Sequence, residues 1–462
     1  MLLKLLLFIV LFNYAISDQN ILYFQPEQIH LAFGDSIYEI VVTWSTFDST
    51  RESIVEYGID GLILTKSGNS TKFVDGGPNK HSQYIHRVTL DNLNPNSKYL
   101  YHCGSTQGWS NVFWFKTPPL DNDWSPNLVI YGDMGNVNAQ SLTRLQEETQ
   151  RGMYDAVLHV GDFAYDMDTD NGVVGDEFMR QIEPVAAYLP YMTCPGNHEE
   201  SYNFSHYRER FSMPGGREWY TYSLDIGPMH IISLSTELYY FMNYGLKSVA
   251  FQYGWLEEDL IKANLPENRE KRPWIIVMGH RPMYCSNLND DDCTHHETLT
   301  RVGLPFLHLF GLEELFYNYG VDLEIWAHEH SYERLWPIYN YEVYNGSYEH
   351  PYTNPKAPVH FVTGSAGCQE GRENFTQTRP DWSAFVNQDY GYTRLKAYNK
   401  THLYWEQVSD DKDGQVIDSV WLIKDSHGLY AHSKMNWEKM EEMRMSTNHF
   451  DKLKRVILHT KI

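Results

Sequence analysis

The spacing of apolar and polar residues divides the chain into two parts. Between residues 25 and 119, short segments such as 37–44, 85–90 and 99–103 alternate apolar with polar positions and are separated by turn residues. Alternation with a period of two is typical of strands that bury one face, and many short strands in succession are typical of an all-β sandwich. We therefore predict that this part folds as a β-sandwich and contributes no catalytic group.

The longer part of the chain follows a break at residues 117–123, where prolines give way to aspartates and an asparagine. From about residue 127 to residue 424, apolar runs typical of buried strands alternate with helical segments at 139–151, 255–263 and 312–318. This alternation predicts a layered α/β domain. The tail beyond it is rich in methionine and charged residues and then basic, and its pattern fits both a packed helix and a mobile segment.

Five of the apolar runs end in short polar motifs that carry metal-binding residue types. The motifs are Gly-Asp-Met-Gly at 132–135, Gly-Asp-Phe-Ala-Tyr at 161–165, Gly-Asn-His-Glu at 196–199, Met-Gly-His at 278–280 and Ala-His-Glu-His at 327–330. Loops at the carboxyl ends of strands in an open α/β sheet converge on one crevice, so the motifs are expected to meet. Taken alone, the motifs at 132–135 and 196–199 are more often a turn or a loop, and the histidine of 278–280 could simply be a satisfied strand-end residue. The His-x-His pair at 328–330 is suggestive by itself, because alternate residues of an extended segment point the same way. The ordered set of five is what predicts a site.

The donors in these motifs are carboxylates, an amide oxygen, a phenolate and imidazoles. Hard oxygens and a phenolate favour a trivalent ion, whereas imidazoles with an amide and a shared carboxylate suit a divalent ion such as zinc, iron or manganese. Two metal ions about 3.5–4 Å apart can hold a phosphoryl group and generate hydroxide near neutral pH. The motifs therefore predict a two-metal site that cleaves phosphate esters.

The motif set resembles that of the purple acid phosphatases among the calcineurin-like metallophosphoesterases, and in particular the large animal iron/zinc members with an extra N-terminal domain. The resemblance implies a ferric ion held by Asp133, Asp162, Tyr165 and His330. It implies a divalent ion, zinc first with iron or manganese as alternatives, held by Asp162, Asn197, His280 and His328. Tyr165 is the residue that best distinguishes this family from other metallophosphoesterases, since those usually lack a tyrosine three residues after the bridging aspartate. Ala327 replaces the glycine of many members and changes no ligand.

The resemblance also implies an architecture. The expected fold is a layered α/β/β/α metallophosphoesterase sandwich at residues 120–424, preceded by an all-β, fibronectin type III-like domain at residues 18–119. Tyr99, a few residues after Asn94 and Pro95, resembles the corner tyrosine of fibronectin type III domains, whose hydroxyl ties back to the preceding loop. A signal peptide at residues 1–17 and a tail at residues 425–462 complete the predicted organisation.

Three histidines outside the ligand set, His296, His198 and His295, are candidates for catalytic contacts with the substrate. His198 follows the amide ligand directly, and the resemblance implies that it binds phosphate or donates a proton. In related enzymes a histidine of the acidic loop at 286–297 protonates the leaving oxygen, and His296 is the better match. The alternative is that both loop histidines are merely solvated. Arg281 is left open between a phosphate contact and an ion pair with a nearby aspartate.

The first 17 residues have the features of a secretory leader, namely an early lysine, an apolar core at 5–12 and a small-residue cleavage pattern. No later stretch reaches the roughly 18 uninterrupted apolar residues that a membrane-spanning helix needs. The sequence therefore predicts a protein without a stable membrane anchor that is secreted to the extracellular space or delivered to the lumen of an acidic compartment.

Glycosylation acceptors and cysteines agree with an oxidising compartment. Asn-x-Ser/Thr triplets begin at Asn69, Asn203, Asn345, Asn374 and Asn399. Among the five cysteines, Cys285 and Cys293 bracket the acidic loop and are a candidate disulfide. Cys194, in an apolar strand, is expected to be a buried free thiol, and spacing alone does not decide whether Cys103 pairs with Cys368.

The net charge and the filled ligand positions restrict the functions that the sequence is compatible with. A formal net charge of −23 and a pI of about 5.3 argue against nucleic acid as a partner. The favoured function is a secreted acid phosphatase, a phosphoric monoester hydrolase that cleaves small phosphomonoesters by attack of a metal-bound hydroxide. The alternatives are a metallophosphodiesterase acting on nucleotides or lipid headgroups, and a non-enzymatic glycoprotein with a residual metal site. All seven ligand positions are filled, which argues against the last, while substrate and oligomeric state stay open.

Overall fold

The protein is described by a computed structural model that covers residues 23–215 and 220–445. The predicted signal peptide and the basic end of the tail lie outside the described residues. The N-terminal strands are β1 (Glu27–Phe33), β2 (Ile40–Thr46), β3 (Ile54–Gly58), β4 (Leu64–Ser67), β5 (Asn69–Val74), β6 (Ser82–Leu90), β7 (Lys98–Ser105), β8 (Gly108–Trp109) and β9 (Phe113–Lys116).

These nine strands form the predicted all-β domain. One sheet has the order β1-β2-β6-β5, and the other has the order β4-β3-β7-β8 with β9 paired to β7. Alternate residues of each strand point inward, so that Trp44, Val88, Tyr101 and Phe115 share one apolar core. The Tyr99 hydroxyl accepts a hydrogen bond from the Asn94 amide at 2.8 Å, as expected for the corner tyrosine.

The remaining strands belong to the second domain. They are β10 (Asn127–Tyr131), β11 (Ala156–Val160), β12 (Tyr191–Cys194), β13 (Thr221–Ile226), β14 (Met229–Leu234), β15 (Trp274–Met278), β16 (Gly303–Leu304), β17 (Leu309–Phe310), β18 (Leu323–Trp326), β19 (Tyr332–Leu335), β20 (Ile338–Tyr339), β21 (Glu342–Val343), β22 (Val359–Thr363), β23 (Ser383–Asn387), β24 (Gly391–Asn399), β25 (His402–Ser409) and β26 (Gln415–Ile423).

The described helices are α1 (Leu142–Gln150), α2 (Thr169–Ala186), α3 (Ser201–Arg210), α4 (Leu246–Ala263), α5 (Pro266–Arg269), α6 (Leu299–Val302), α7 (Leu312–Asn318) and α8 (Trp437–Met445). Two of the predicted helical segments agree closely with α1 and α7, whereas α4 begins earlier than predicted, at Leu246. Over residues 23–215 and 220–445, none of the helices combines the length and the apolar character required to cross a membrane.

Two large sheets form the middle layers of the second domain. The first has the order β12-β11-β10-β24-β25-β26 and the second has the order β13-β14-β15-β18-β22-β19-β23. Within them β10, β11 and β12 are parallel, and so are β14, β15, β18 and β22. The carboxyl ends of these parallel strands therefore lie at common edges, which is the arrangement that the five motifs require.

Alternation along the buried strands separates the apolar layers. Leu128 and Ile130 of β10 face the second sheet, whose Ile276 and Phe361 belong to the same core. The intervening Val129 packs outward with α1 and α2, while the outer face of the second sheet packs against α4 and α7. Burial of each such side chain contributes about 1.5–3 kcal/mol. The result is the predicted α/β/β/α sandwich.

The β-sandwich packs on the second domain through both apolar and polar contacts. The buried Arg210 guanidinium donates to Asp176 at 2.7 Å and to Gln28 of β1 at 3.1 Å. From the other sheet, the Tyr101 hydroxyl donates to the carbonyl oxygen of Ala187 at 2.7 Å. The two domains therefore share a boundary at which a buried charge of one is satisfied partly by the other.

Part of the C-terminal tail is also packed. Helix α8 buries Met440 in the core that lies on the outer face of the second sheet. Before it, the Tyr430 ring stacks on Tyr317 with 5.1 Å between centroids. Within the described residues, the sequence alternative of a packed helix is the one that the structure adopts.

His230 on β14 gives the fold a testable pH dependence. Its Nδ1 lies 2.7 Å from Asp225 Oδ1 and its Nε2 lies 2.9 Å from Asp259 Oδ2. Burial alone would lower the pKa of His230, but Asp259 and Asp225 outweigh it and raise the pKa to about 9. A raised pKa stabilises the fold fully below the unfolded pKa of about 6.5, and the contribution is lost as pH rises through the folded value.

We expect His230→Gln to lower the free energy of unfolding most at pH 6 and much less at pH 10. Because each pKa unit corresponds to about 1.4 kcal/mol, the difference should shrink by roughly 3 kcal/mol over that range. Urea unfolding at several pH values would measure it, with the exposed His350 changed to Gln as control. A difference between His230→Gln and wild type that is constant with pH would contradict the assignment.

Candidate metal centre

The five motifs converge at the carboxyl edges of the two sheets. Asp133, Asp162 and Asn197 follow β10, β11 and β12, while His280 and His328 follow β15 and β18. Asp133 and Asp162 adopt left-handed backbone with φ of 56° and 52°, as does Tyr165 at 52°. Such backbone is uncommon outside glycine and tends to occur at functional sites, where the surrounding structure holds it in place.

Glycines allow the ligand loops to approach each other closely. A Cβ atom on Gly161 would lie 2.5 Å from His280 Nδ1, and one on Gly196 would lie 2.2 Å from Asp162 Oδ1. Gly161 also has φ of +84°, which side-chain-bearing residues rarely adopt. The glycines that precede Asp162 and Asn197 in the motifs are thus required by the packing of one ligand loop on another.

One group of donors surrounds the Nε2 atom of His280. This atom lies 3.1 Å from Asn197 Oδ1, 3.1 Å from Asp162 Oδ2 and 3.2 Å from His328 Nδ1. The other nitrogen, Nδ1, lies 2.8 Å from the Val160 carbonyl oxygen. Because a carbonyl can only accept, Nδ1 carries a proton, and in the neutral ring the lone pair therefore lies on Nε2, the atom that faces the other donors.

A second group of donors surrounds the hydroxyl of Tyr165. This oxygen lies 3.1 Å from Asp133 Oδ1 and 2.8 Å from His330 Nε2. Burial raises the pKa of both Asp133 and Tyr165, and the negative charge of Asp162 adds to the effect on each. Ionised oxygens gathered in a buried crevice are costly unless a cation compensates them, so the donor set fits cations.

Glu199 is a residue of the site that motif reasoning did not single out. Its buried carboxylate accepts hydrogen bonds from the amides of Asp162, Phe163 and Gly196 at 2.8–3.0 Å. It therefore fixes the backbone of two ligand loops at once. The signal in the sequence was its place in the Gly-Asn-His-Glu motif, but only the fold identifies the amides that it accepts from.

The structure separates the three catalytic candidates. The His198 ring lies beside Tyr165, with 4.3 Å between centroids, and its Nδ1 lies 2.7 Å from Asp166 Oδ1. His296 instead stacks on Tyr341 at 4.5 Å, and His295 lies 3.6 Å from Asp290. His198 is thus adjacent to the donor groups, whereas both loop histidines are exposed and have other neighbours.

Arg281 forms ion pairs in this structure, the closer one with Glu237 and a longer one with Asp291. Its Nε donates to Glu237 at 2.9 Å, and its guanidinium lies over the Tyr240 ring at 4.4 Å. Its Nη1 lies 3.7 Å from Asp291 and 2.9 Å from His328 Nε2. The guanidinium is therefore held behind a candidate ligand.

Cysteines and glycosylation acceptors have clear positions. Cys285 and Cys293 form a disulfide that closes the acidic loop, while Cys103, Cys194 and Cys368 are buried free thiols. Among the asparagines of the Asn-x-Ser/Thr triplets, Asn345 is half-buried and the exposed ones are Asn69, Asn203, Asn374 and Asn399.

Family models match three successive stretches of the chain. The purple acid phosphatase N-terminal domain matches residues 26–117, the calcineurin-like phosphoesterase matches residues 126–332, and the iron/zinc purple acid phosphatase-like protein C matches residues 357–419. Together they cover both domains and all five motifs.

Known proteins resemble the whole chain. Acid phosphatase type 7 of Danio rerio is 57% identical over 410 residues, which is 87% of this chain and 92% of that protein. The Homo sapiens protein of the same name is 57% identical over 406 residues, with the same coverage of both chains. Among solved structures, purple acid phosphatase PPD1 from yellow lupin is 27% identical with a TM-score of 0.72, covering 87% of this chain and 75% of that one.

The close approach at Gly161 can be tested with a matched glycine. Gly161→Ala places a Cβ against His280, whereas Gly371 has a similar φ of +89° and nothing within 4 Å of the added atom. Both substitutions carry about 1–2 kcal/mol of backbone strain. We expect Gly161→Ala to lower p-nitrophenyl phosphate hydrolysis by about 100-fold through misplaced ligands, and Gly371→Ala to leave it within a few-fold. Equal activities of the two variants would contradict this reason for the glycine.

Proposed function

The chain belongs to the purple acid phosphatase family and is a phosphatase, and from this premise we propose that it hydrolyses small phosphomonoesters at a dinuclear centre of one ferric and one divalent ion. The observation that supports the proposal most directly is the convergence of two donor groups of different character. Tyr165 with Asp133 and His330 forms the group rich in hard oxygens. His280 with Asn197 and His328 forms the group rich in imidazole.

In this proposal Asp133, Tyr165 and His330 would hold the ferric ion. Asn197, His280 and His328 would hold the divalent ion, and Asp162 would serve both. The choice of zinc for the divalent position rests on its imidazole donors and on the iron/zinc family model that matches the chain. When bound, the two ions would supply the positive charge that phosphoryl transfer needs and would activate water as the nucleophile. A net protein charge of −23 makes that local positive charge necessary for an anionic substrate.

Side chains around the centre then orient the donors and the substrate. The Val160 carbonyl fixes the His280 tautomer, and Glu199 holds the ligand loops by their amides. His198 lies beside Tyr165 and is proposed to donate a hydrogen bond to a phosphoryl oxygen, with Asp166 fixing its ring. These contacts are already formed without substrate, and such a preorganised arrangement favours transition-state stabilisation.

His296 is proposed to protonate the leaving oxygen, with His295 as the alternative. Both lie on the acidic loop, which the disulfide closes and which Asn289 ties to Glu329 at 2.8 Å, between the candidate ligands His328 and His330. This attachment keeps the loop beside the centre.

We also propose that the protein is secreted or resides in the lumen of an acidic compartment. The leader-like sequence at residues 1–17, the four exposed glycosylation acceptors and the loop disulfide support this location. Endoglycosidase treatment of protein from the culture medium would test it, and an intracellular, unglycosylated product would contradict it.

The function itself is tested by rates on matched phosphomonoesters and phosphodiesters, measured on protein whose iron and zinc contents are known. We expect monoester hydrolysis to dominate with about one iron and one divalent ion per chain. Faster diester hydrolysis would favour the phosphodiesterase alternative, and no hydrolysis of either class by fully loaded protein would refute the proposal.

A first prediction concerns Tyr165 as a ferric ligand. Tyrosinate bound to ferric iron absorbs visible light, so the loaded protein should be coloured. Tyr165→Phe should abolish the broad visible band while iron remains bound, as measured by absorption spectroscopy with metal analysis. The buried Tyr207, whose ring stacks on Phe163 in the same motif as Tyr165, serves as control, since Tyr207→Phe should keep the colour. Colourless wild-type protein with stoichiometric ferric iron would rule out the assignment.

A second prediction concerns proton donation by His296. Alkyl leaving groups need a proton, whereas aryl leaving groups depart as stable anions, and general acid catalysis contributes ~10²–10⁴-fold. We expect His296→Ala to slow alkyl phosphate hydrolysis far more than aryl phosphate hydrolysis, with both metals retained. His295→Ala should leave the ratio of the two rates unchanged. Equal losses for both substrates would assign His296 to phosphate binding instead, and no loss would leave it a solvated loop residue.

A further inference from the structure

The two ring nitrogens of His328 have different neighbours. Nδ1 lies 3.2 Å from His280 Nε2, within the group of donors proposed for the divalent ion. Nε2, on the far side of the ring, lies 2.5 Å from Asp291 Oδ2 and 2.9 Å from Arg281 Nη1. Asp291 belongs to the acidic loop and to none of the five motifs.

The proton of His328 decides whether this residue can act as a ligand. A neutral imidazole has one N–H and one lone pair. If Nε2 donates its proton to Asp291, the Nδ1 lone pair is available to a cation. If Nε2 instead accepts from Arg281, the proton moves to Nδ1 and blocks ligation. Asp291 and Arg281 therefore compete for the same nitrogen and favour opposite tautomers.

We propose that Asp291 is a positioning residue for the divalent ion, which acts by holding His328 in the orientation and tautomer that present Nδ1. The proposal rests on the dinuclear centre proposed above. Histidine ligands commonly donate their other N–H to a carboxylate, and loss of that partner typically costs 10–100-fold in metal affinity or activity. No proton or electron is transferred in this role.

The loop fixes Asp291 before any ion is bound. The disulfide between Cys285 and Cys293 closes the loop, and the Tyr240 hydroxyl donates to Asp292 at 2.5 Å. Asn289 donates to Glu329 at 2.8 Å, so the loop also contacts the residue that follows His328. Attachment on both sides of Asp291 reduces the entropy that would be lost on positioning its carboxylate.

Arg281 is also held in place by contacts of its own, so it would remain beside His328 Nε2 if Asp291 were removed. Glu237 accepts from its Nε at 2.9 Å, and the Tyr240 ring lies beneath its guanidinium. Because these contacts do not involve Asp291, removal of the carboxylate leaves Arg281 Nη1 within hydrogen-bonding distance of His328 Nε2. The His328 tautomer with its proton on Nδ1, which blocks ligation, should then become more populated.

The experiment compares Asp291→Asn and Asp291→Ala with Asp290→Asn. Asp290 is the adjacent loop carboxylate, and its side chain is 92% exposed. Zinc affinity is measured by equilibrating iron-loaded protein with graded zinc buffers and determining both metals per chain. We expect 10–100-fold weaker zinc binding for Asp291→Ala, a smaller loss for Asp291→Asn because its amide oxygen still accepts, and no change for Asp290→Asn. Iron content should be unchanged in all three.

Thermal unfolding of the metal-free proteins separates positioning from folding. Equal unfolding temperatures with selective loss of zinc affinity would support the proposal. If Asp291→Ala bound zinc as tightly as Asp290→Asn does, the proposal would be overturned. It would also be overturned if Asp291→Ala lost iron and zinc in parallel and its metal-free form unfolded at a lower temperature. Wild-type protein that binds no divalent ion would refute the dinuclear centre itself. Wild-type protein that binds zinc, with unchanged zinc affinity in the Asp291 variants, would refute only the role of Asp291.

Discussion

The cost of crowding buried acidic groups governs this structure. Asp133 and Asp162 are almost fully buried at the ends of neighbouring strands. Burial raises the pKa of Asp133, and the negative charge of Asp162 raises it further, whereas His280 and His198 hold the pKa of Asp162 below its usual value. The protein meets part of this cost itself, through amides and imidazoles directed at the carboxylates. The His198 amide donates to Asp162 at 3.0 Å and the His328 amide to Asp133 at 2.9 Å. The remaining cost is the physical reason for a centre that attracts cations.

The apolar layers make that crowding possible. Strands whose alternate residues face two different cores have little freedom to slide, because a shift by one residue would exchange the two faces. The loops after β10, β11, β15 and β18 are therefore presented in fixed register. Glycines at the closest approaches then let the loops come nearer than side chains would permit.

Much of the fold and most of the donor set could be predicted from the sequence, since each motif lies directly after the strand that positions it. Asp162 and Tyr165 are three residues apart, and the Ala-His-Glu-His run carries two donors by itself. The contacts of Glu199 and Asp291 could not be predicted from the sequence, because their partners are amides or ring nitrogens that come close only when the sheets assemble. The same holds for His296, whose stacking partner Tyr341 is distant in sequence. Cys285 and Cys293 were a candidate pair because they bracket the acidic loop, whereas spacing could not decide the pairing of Cys103 and Cys368, which lie in different domains.

The buried Arg210 at the domain boundary links the β-sandwich to the phosphoesterase domain through its hydrogen bonds. If the sandwich were removed, the guanidinium would lose Gln28, and the backbone carbonyl of Arg210 would lose the His30 ring nitrogen at 2.9 Å. Apolar strand β1, which contacts α2 and β12, would vanish from the same face. The surface of the phosphoesterase domain beneath the sandwich is therefore adapted to the presence of the sandwich. Removal of the sandwich would leave polar groups of the phosphoesterase domain without partners that they have in the intact chain.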